Sequence, residues 1–308
     1  KPFKESDALN RAKQTARDTG KLKGRIMTKL LYRHWDSWVD DKRQHIFVMS
    51  IDGGEPRDVT PGDRDAVPTS STYSAGDDYD FSPDGSEIAY TATPVPTHEE
   101  AWSTNHDIYT VNLLTGERKQ ITTSLAADVF PRYSPNGRYI AYRAQSRPAF
   151  EADRWQLVVY DRTSGVTRSL TEQFDSNIDA MTWSADGKLL YFDAEEKGNK
   201  PLWSVSLKGN DVKKLVDSAV NGDITVSEKM LVFGHQTMTR ALEVYTASTD
   251  GKNFKQLPHV NDELFSQLML NDPEYVWFTG ANDAKVQMWI VKPPMFDPSK
   301  KYPLVFWV

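Results

Sequence analysis

Short apolar runs, each bounded by turn-forming residues, recur along this chain at nearly constant intervals. An aromatic residue, a Ser-Pro-Asp-Gly-like turn and an alternating apolar run form one motif, which begins at Phe81, Tyr133 and Trp183. The successive starts are 52 and 50 residues apart. Proline presets the second turn position and glycine accepts a left-handed one, so each copy predicts a β-hairpin. Two weaker copies follow near Val226 and Leu270.

A second hairpin pattern follows each motif. Residues 108–122 form one such pattern with a turn at Gly116, and residues 157–171 form another with a turn at Gly165. Two hairpins in each unit of about 40–52 residues make four strands, which is the content of one β-propeller blade. A β-sandwich or a β-solenoid fits less well, because the turns of those folds do not repeat at this length.

The sequence therefore predicts an all-β fold, a β-propeller of four-stranded blades. We expect about five full blades, at residues 75–122, 127–171, 178–216, 220–257 and 264–292. A partial blade at residues 46–60 shows only a second hairpin, and we expect its first strands upstream of Lys1. In domain terms, the blades occupy residues 44–292.

Residues 1–43 depart from the strand pattern and predict helices. A first helix is expected to begin at Ser6 and to end at Gly20. A second is predicted from apolar residues four positions apart, which are Met27, Leu31 and Trp35. We expect this segment to be a helical insertion within a blade. The alternative is a membrane-surface or partner-binding arm, since the segment carries 12 basic and 6 acidic residues.

Charge and composition exclude several classes of function. The net charge is −6, and because residues 1–43 carry +6, the rest of the chain carries −12, which argues against nucleic acid as a partner. Mean hydropathy is −0.59 and no apolar run reaches the ~18 residues of a membrane helix, so no membrane partner is expected. There is no cysteine, and the six histidines lack metal-ligand spacing. We expect no metal and no cofactor.

The segment 94–106 is extra to the repeat, between the second and third strands of a blade. Its adjacent carboxylates, Glu99 and Glu100, stand beside Trp102, and such a group could hold a cation. The alternative is a solvated acidic loop. No Gly-x-Ser-x-Gly nucleophile motif occurs, so no catalytic residue is assigned in this chain.

The C-terminal segment does not follow the repeat of strands and turns. A proline-rich linker at residues 293–298 precedes the unbroken apolar run 304–308. Such a run is typical of a buried strand in a parallel sheet. Residues 293–308 are therefore predicted to be a linker and the first strand toward an α/β domain that this chain lacks.

These features resemble the prolyl oligopeptidase family of serine peptidases, in its bacterial dipeptidyl-peptidase and acylaminoacyl-peptidase branch. The matching segments are the turns at 82–85, 134–137 and 184–187, the strand ending at 53–60 and the Lys-Lys-Tyr-Pro-Leu-Val exit at 300–305. The resemblance covers nearly the whole chain.

The resemblance implies a propeller of seven or eight blades that caps an α/β-hydrolase domain. The serine, aspartate and histidine of the catalytic triad would lie beyond Val308. By the same resemblance, Glu99 and Glu100 would bind the α-amine of a peptide, and Trp102 and Asn105 would shape the first subsites.

The implied function is that of a substrate-gating propeller in a serine exopeptidase that releases dipeptides or acylated residues from peptide N-termini. Its partners would be peptide substrates, its own α/β-hydrolase domain and, as a possibility, further copies of itself. Exported bacterial relatives favour the periplasm over the cytoplasm. A stand-alone TolB-like or WD-repeat-like interaction propeller without catalysis is the alternative, and an inactive member of the family is a third reading.

Overall fold

The computed structural model describes residues 3–30, 32–34, 36–38, 43–67 and 78–307. The named strands pair antiparallel with neighbours in sequence, as consecutive hairpins require. Residues 75–77 of the first predicted blade lie outside the described residues.

The N-terminal segment contains one of the two predicted helices. Helix α1 spans Phe3–Thr19 and stops before Gly20, whose N–H donates to the carbonyl of Ala16 at 3.0 Å. The second predicted helix is wrong, because residues 20–30 are not helical. Met27, the described member of its apolar stripe, is 38% exposed, and a short helix is marginal in water without packing.

A small hairpin follows that segment instead of a helix. Strands β1 (Arg33–His34) and β2 (Ser37–Trp38) pair, and the guanidinium of Arg25 lies 4.6 Å from the centre of the Trp38 ring. Leu31 and Trp35, on which the helix prediction relied, lie outside the described residues.

The β-sheets follow the repeat. Strands β3 (Phe47–Val48) and β4 (Arg57–Asp58) pair as the half-blade. The first full blade contains β5 (Tyr79–Phe81), β6 (Glu87–Ala92), β7 (Asp107–Asn112) and β8 (Arg118–Gln120). The second contains β9 (Asp128–Tyr133), β10 (Tyr139–Ala144), β11 (Gln156–Asp161) and β12 (Thr167–Ser169). The third contains β13 (Met181–Trp183), β14 (Leu189–Asp193), β15 (Leu202–Ser206) and β16 (Lys213–Val216). The fourth contains β17 (Val220–Val226), β18 (Met230–Thr237), β19 (Arg240–Ser248) and β20 (Lys255–Gln256).

The fold class is confirmed, but the fifth predicted blade is only half formed. Residues 264–292 contain the end of helix α2 (Asp262–Ser266) and one hairpin, β21 (Glu274–Thr279) with β22 (Lys285–Ile290). The prolines that follow cannot donate to a strand ladder, so this segment supplies no second hairpin.

The predicted exit strand is not formed in this chain. Residues 304–307 carry no strand, and their side chains are 73–91% exposed. A parallel strand needs neighbours to pair with its backbone, and none is present in the part of the chain that the structure describes. The division into domains at residues 43 and 293 stays a prediction.

Hydrogen bonds inside the turn fix the first hairpin of each of the first three full blades. The hydroxyl of Ser82 donates to Oδ1 of Asp84 at 2.6 Å and accepts from the N–H of Glu87 at 3.0 Å. The same arrangement recurs around Ser134 and Ser184. This local closure explains why so short a motif specifies a hairpin.

Aromatic residues before these turns join successive blades. Tyr133 is 6% exposed, and its hydroxyl donates to the carboxylate of Glu87 in the preceding blade. Trp183 is equally buried and stacks on Tyr139, with ring centres 6.3 Å apart. Glu87 and Tyr139 occupy equivalent positions in the repeat, so the two contacts are copies of each other.

The turns themselves also stack. A Cβ atom placed on Gly137 would lie 3.6 Å from Cδ of Pro83, and one placed on Gly187 would lie 3.5 Å from Cδ of Pro135. The proline of one turn therefore packs on the glycine of the next. Each of these glycines has a φ near +70°, which disfavours any other residue.

The hydrophobic core lies between consecutive sheets. On β6, Ile88 and Tyr90 pack with the half-blade residues Ile46 and Val59, whereas the intervening Ala89 packs toward the second blade. Both faces of the strand are thus buried, which is why the sequence here reads as a continuous apolar run.

Both clusters lie in one compact unit, which comprises Lys1–Asp179, Trp183–Leu190 and Val205–Val212. The second unit comprises Ala180–Thr182, Tyr191–Ser204 and Lys213–Val308. Within the second unit, Leu231 and Phe233 are fully buried on β18, and Phe254 stacks on Tyr245 with ring centres 4.8 Å apart.

Turn stacking leads to a first prediction. Gly137→Val and Gly85→Val impose the same left-handed strain, ~1–2 kcal/mol, but only Gly137 faces a proline from another turn. We expect calorimetry to show a lower melting temperature for both variants, with a clearly larger decrease for Gly137→Val than for Gly85→Val. Equal losses would show that the stacked turns contribute nothing beyond local backbone strain.

Candidate functional site

The predicted cation-binding segment forms a short 3₁₀ helix on the connection between β6 and β7. It spans Thr97–Trp102, and Pro96, directly before it, has an extended backbone. The N–H of Ser103 donates to the carbonyl of Glu100 at 3.3 Å, which closes the last turn. Helical turns of this kind are short, and here one turn presents both predicted carboxylates.

Glu99 and Glu100 have different surroundings. Glu99 is 56% exposed, and its Oε1 lies 3.6 Å from Nε2 of His98. Glu100 is half-buried, and its Oε1 lies 3.5 Å from the hydroxyl of Thr93 at the end of β6. The structure brings the two carboxylates onto one short helix.

Trp102 and Asn105 differ in how far their side chains are exposed to solvent. The Trp102 side chain is 72% exposed and available to a ligand. Asn105 is only 8% exposed, and its Nδ2 donates to the carbonyl of Ser124 at 2.9 Å. Asn105 therefore links the connection between β6 and β7 to the loop that follows β8. Its proposed subsite role stays a prediction, as do the roles of the other three residues.

Two buried aspartates lie at the starts of neighbouring strands, and sequence reasoning did not find them. Asp107 begins β7 and Asp128 begins β9, and both are at most 3% exposed. Thr122 and Gln120 donate to the two carboxylate oxygens of Asp107, each at 3.0 Å. An acidic residue at the first position of an otherwise apolar strand is the signal that could have revealed the pair.

Burial sets the protonation of this pair. Desolvation raises the pKa of Asp107 to about 6, against the lowering effect of its two hydrogen bonds. Desolvation and the neighbouring Asp107 carboxylate raise the pKa of Asp128 to about 8, although Thr122 opposes the shift. Burial also lowers the pKa of His106 to about 4, so this imidazole is neutral at pH 7.

A second group that sequence reasoning missed surrounds Phe130 on β9. Phe130 has a φ of +62°, and the guanidinium groups of Arg132 and Arg143 lie 3.7 and 5.1 Å from the centre of its ring. The pairing of β9 with β10 shifts register at this point, which is where a bulge places a residue in the left-handed region. The ring is held between two cations at the edge of the blade.

Neither a metal-binding cluster nor a membrane-spanning helix is found in the part of the chain that the structure describes. No group of three or more acidic, histidine or cysteine side chains there is arranged to hold a metal ion. Among the described helices, none has both the length and the apolar character needed to cross a bilayer.

The chain is similar in sequence to a propeller family and to two peptidases. A family model described as the TolB beta propeller domain matches residues 78–267. Dipeptidyl-peptidase 5 of Porphyromonas gingivalis is 28% identical over 301 residues, 96% of this chain and 44% of that protein. Dipeptidyl-peptidase 5 of Porphyromonas endodontalis is 31% identical over 304 residues, 97% of this chain and 44% of that protein.

Solved structures point to the same fold. The acylaminoacyl peptidase of Pyrococcus horikoshii superposes with a TM-score of 0.53 at 18% identity. The superposition covers 68% of this chain and 32% of the peptidase chain. At that identity the likeness shows the fold alone. The curated relatives confirm the resemblance to peptidase propellers, and the chain spans less than half of their length.

The buried aspartates lead to a prediction of pH dependence. An unfolded aspartate ionises near pH ~3.9, whereas Asp128 in the fold holds its proton to about pH 8. The folded state thus binds more protons across this interval, so Asp128 lowers stability increasingly as pH rises from about 4 to 8.

Asp128→Asn, which keeps the shape and removes the charge, is expected to raise the melting temperature relative to the parent, by more at pH 8 than at pH 5. The increase in melting temperature at pH 8 should exceed the increase at pH 5 by at least ~2 °C, and it should level off above pH 8. Circular dichroism melts at both pH values check it, with the exposed Asp52→Asn as control. A difference independent of pH would contradict the assignment.

Proposed function

The chain belongs to the family of TolB β-propeller domains, and from that premise we propose that it is the substrate-gating propeller of a serine exopeptidase that releases dipeptides or acylated residues from peptide N-termini. The observation that carries the proposal is the alignment with two proteins named dipeptidyl-peptidase 5 over 96–97% of this chain. An alignment of that extent includes the loops between strands, where ligands of such a fold would bind.

The chemistry of the 3₁₀ helix suits a peptide N-terminus. An α-ammonium group is a compact cation with three N–H donors, and carboxylates satisfy such donors with charge-assisted hydrogen bonds. Glu100, held at the rim of the blade near Thr93, would accept from the ammonium, and Glu99 would add charge. The exposed Trp102 ring would cover the adjacent apolar side chain of the substrate.

The propeller would select and position the peptide, while the reaction would take place on another domain. We place the serine nucleophile, its histidine base and the oxyanion donors in an α/β-hydrolase domain of the same protein. The propeller would limit access by size and hold the N-terminus at a fixed distance from the nucleophile. Binding geometry of this kind sets how many residues are released.

A second candidate function rests on the family itself. The matching model describes a TolB propeller domain, and such a domain could bind protein partners without any chemistry. The two candidates differ in one observable property, which is hydrolysis.

We expect the full-length gene product to release chromophore from dipeptidyl or N-acyl-aminoacyl p-nitroanilides, and a serine-directed inhibitor to abolish this release. The measurement is the initial rate with and without inhibitor. A folded protein that cleaves none of these substrates would instead favour the interaction propeller.

For the cellular location, we propose the periplasm. The test is fractionation of cells that express the full-length gene at its natural level. Recovery with cytoplasmic markers would place the protein in the other compartment.

The amine-binding role of Glu100 makes a sharper prediction. Glu100→Gln removes the charge that would pair with the ammonium, and a hydrogen bond to a charged group is worth ~1.5–3 kcal/mol. We expect kcat/KM for a dipeptidyl p-nitroanilide to fall about tenfold to a hundredfold, with little change for an N-acylated substrate that lacks the ammonium. Glu117→Gln, an exposed carboxylate on the turn between β7 and β8, is the matched control. An equal loss on both substrates would remove the amine-binding role.

A further inference from the structure

Long connections between the second and third strands occur on two neighbouring blades. In the first and second full blades these connections comprise residues 93–106 and 145–155. In the third and fourth blades they are shorter, at residues 194–201 and 238–239. The extra chain of the first two blades therefore leaves corresponding ends of neighbouring sheets, where the loops of such a fold bind ligands.

The loop between β8 and β9, residues 121–127, is hydrogen-bonded to both long connections. Nδ2 of Asn105 donates to the carbonyl of Ser124 at 2.9 Å, and the N–H of Gln145 donates to the carbonyl of Ala127 at 2.9 Å. Leu125 lies between these two attachment points, and its side chain is 73% exposed. An apolar side chain is thus presented to solvent between the two connections.

The connection of the second blade is ordered by its own polar groups. Gln145 is only 4% exposed, and its Nε2 donates to the carbonyls of Glu151 and Asp153 at 3.0 and 2.8 Å. The carboxylate of Asp153 accepts from the N–H groups of Ser146 and Arg147 at 2.7 and 2.8 Å. These bonds hold the loop in one conformation although most of its residues lie outside the core.

The two arginines of this connection have different surroundings. The guanidinium of Arg154 is used by the fold, since it donates to the backbone carbonyls of Thr171, Glu172 and Phe174. Arg147 is exposed, and its guanidinium donates no hydrogen bond to the residues that the structure describes. Instead it lies on the ring of Phe150, 4.0 Å from the ring centre.

The stacking on Phe150 orients the Arg147 guanidinium for an anion. A guanidinium that lies on an aromatic ring keeps the N–H groups at its edge available, and this planar fork fits a carboxylate with two hydrogen bonds. Ala149, between the two residues, has a φ of +57°, which is uncommon for a residue with a side chain. Backbone strain of this kind is often found where a loop holds a ligand.

The connection of the first blade carries the opposite charge. Glu99 and Glu100 lie on its 3₁₀ helix, and the Trp102 side chain there is 72% exposed. We call the two glutamates, Leu125 and Arg147 together the bipolar surface. It has carboxylates on one blade, a guanidinium on the next, and an apolar side chain on the loop that joins them.

We propose that the bipolar surface binds a peptide through two charges, the N-terminal ammonium on Glu99 and Glu100 and a carboxylate on Arg147. An apolar side chain of the peptide, between the two charges, packs on Leu125. The carboxylate is either the C-terminal group of a short peptide or an acidic side chain, which share one chemistry. The inference rests on the proposed function, because its ligand is a peptide, and it adds a charge preference to that function.

Isothermal titration calorimetry with the 308-residue chain measures this binding without any need for hydrolysis. Three pentapeptides share a free N-terminus and a leucine at the second position. The first ends in a free carboxylate, the second is amidated and contains glutamate, and the third is amidated and contains glutamine in its place. We expect the first or the second to bind at least about fivefold more tightly than the third, which identifies the source of the carboxylate.

Arg147→Gln should remove this difference between the peptides. Arg147→Lys, which keeps the charge and loses the planar fork, should retain only part of it. Arg168→Gln is the matched control, since Arg168 is an exposed arginine on β12, the outer strand of the same blade, and it should leave the difference unchanged. Arg147 is itself exposed, so its substitution is expected to leave the fold intact.

Three results would overturn the inference: equal binding of the three peptides, no saturable binding up to ~1 mM peptide, or a preference that survives Arg147→Gln. Failure of the proposed function has a different signature, which is a full-length protein that cleaves no p-nitroanilide. A carboxylate preference that depends on Arg147 in such a protein would keep the bipolar surface as a peptide-binding site without hydrolysis.

Discussion

The contact between the turn of one blade and the turn of the next is the interaction on which this structure depends. Pro83 packs on Gly137 and Pro135 on Gly187, while the aromatic residue before each turn lies against the preceding blade. Successive motifs begin 52 and 50 residues apart, which is about the length of one four-stranded blade. The connection between the second and third strands lies away from the stacked turns, so it can hold extra residues such as 93–106.

That constraint determines where ligand-binding groups can lie. In each blade the stacked turn joins the first two strands, and the connection to the third strand leaves from the opposite end. The 3₁₀ helix with Glu99, Glu100 and Trp102 is therefore remote from the stacked turns, and its sequence can vary without disturbing them. Asn105 limits this freedom, since its buried side chain fastens the connection to Ser124.

The buried aspartates show a cost of packing sheets face to face. Asp107 and Asp128 begin strands of neighbouring blades, and close packing removes both from water. Hydrogen bonds from Thr122 and Gln120 reduce the cost for Asp107, but the proximity of two carboxylates favours one of them keeping its proton. We therefore expect the stability of this junction to depend on pH.

The repeat was readable from sequence because each turn is closed by its own residues. Ser82, Asp84 and Gly85 form their hydrogen bonds and left-handed φ locally, so strand pairs and the all-β fold could be predicted from order alone. The acidic and aromatic residues of the candidate site were equally visible. What tertiary structure decided was burial: it exposed Trp102, buried Asn105 and brought Asp107 beside Asp128. Such outcomes depend on residues far apart in sequence meeting across sheets, which no local pattern encodes.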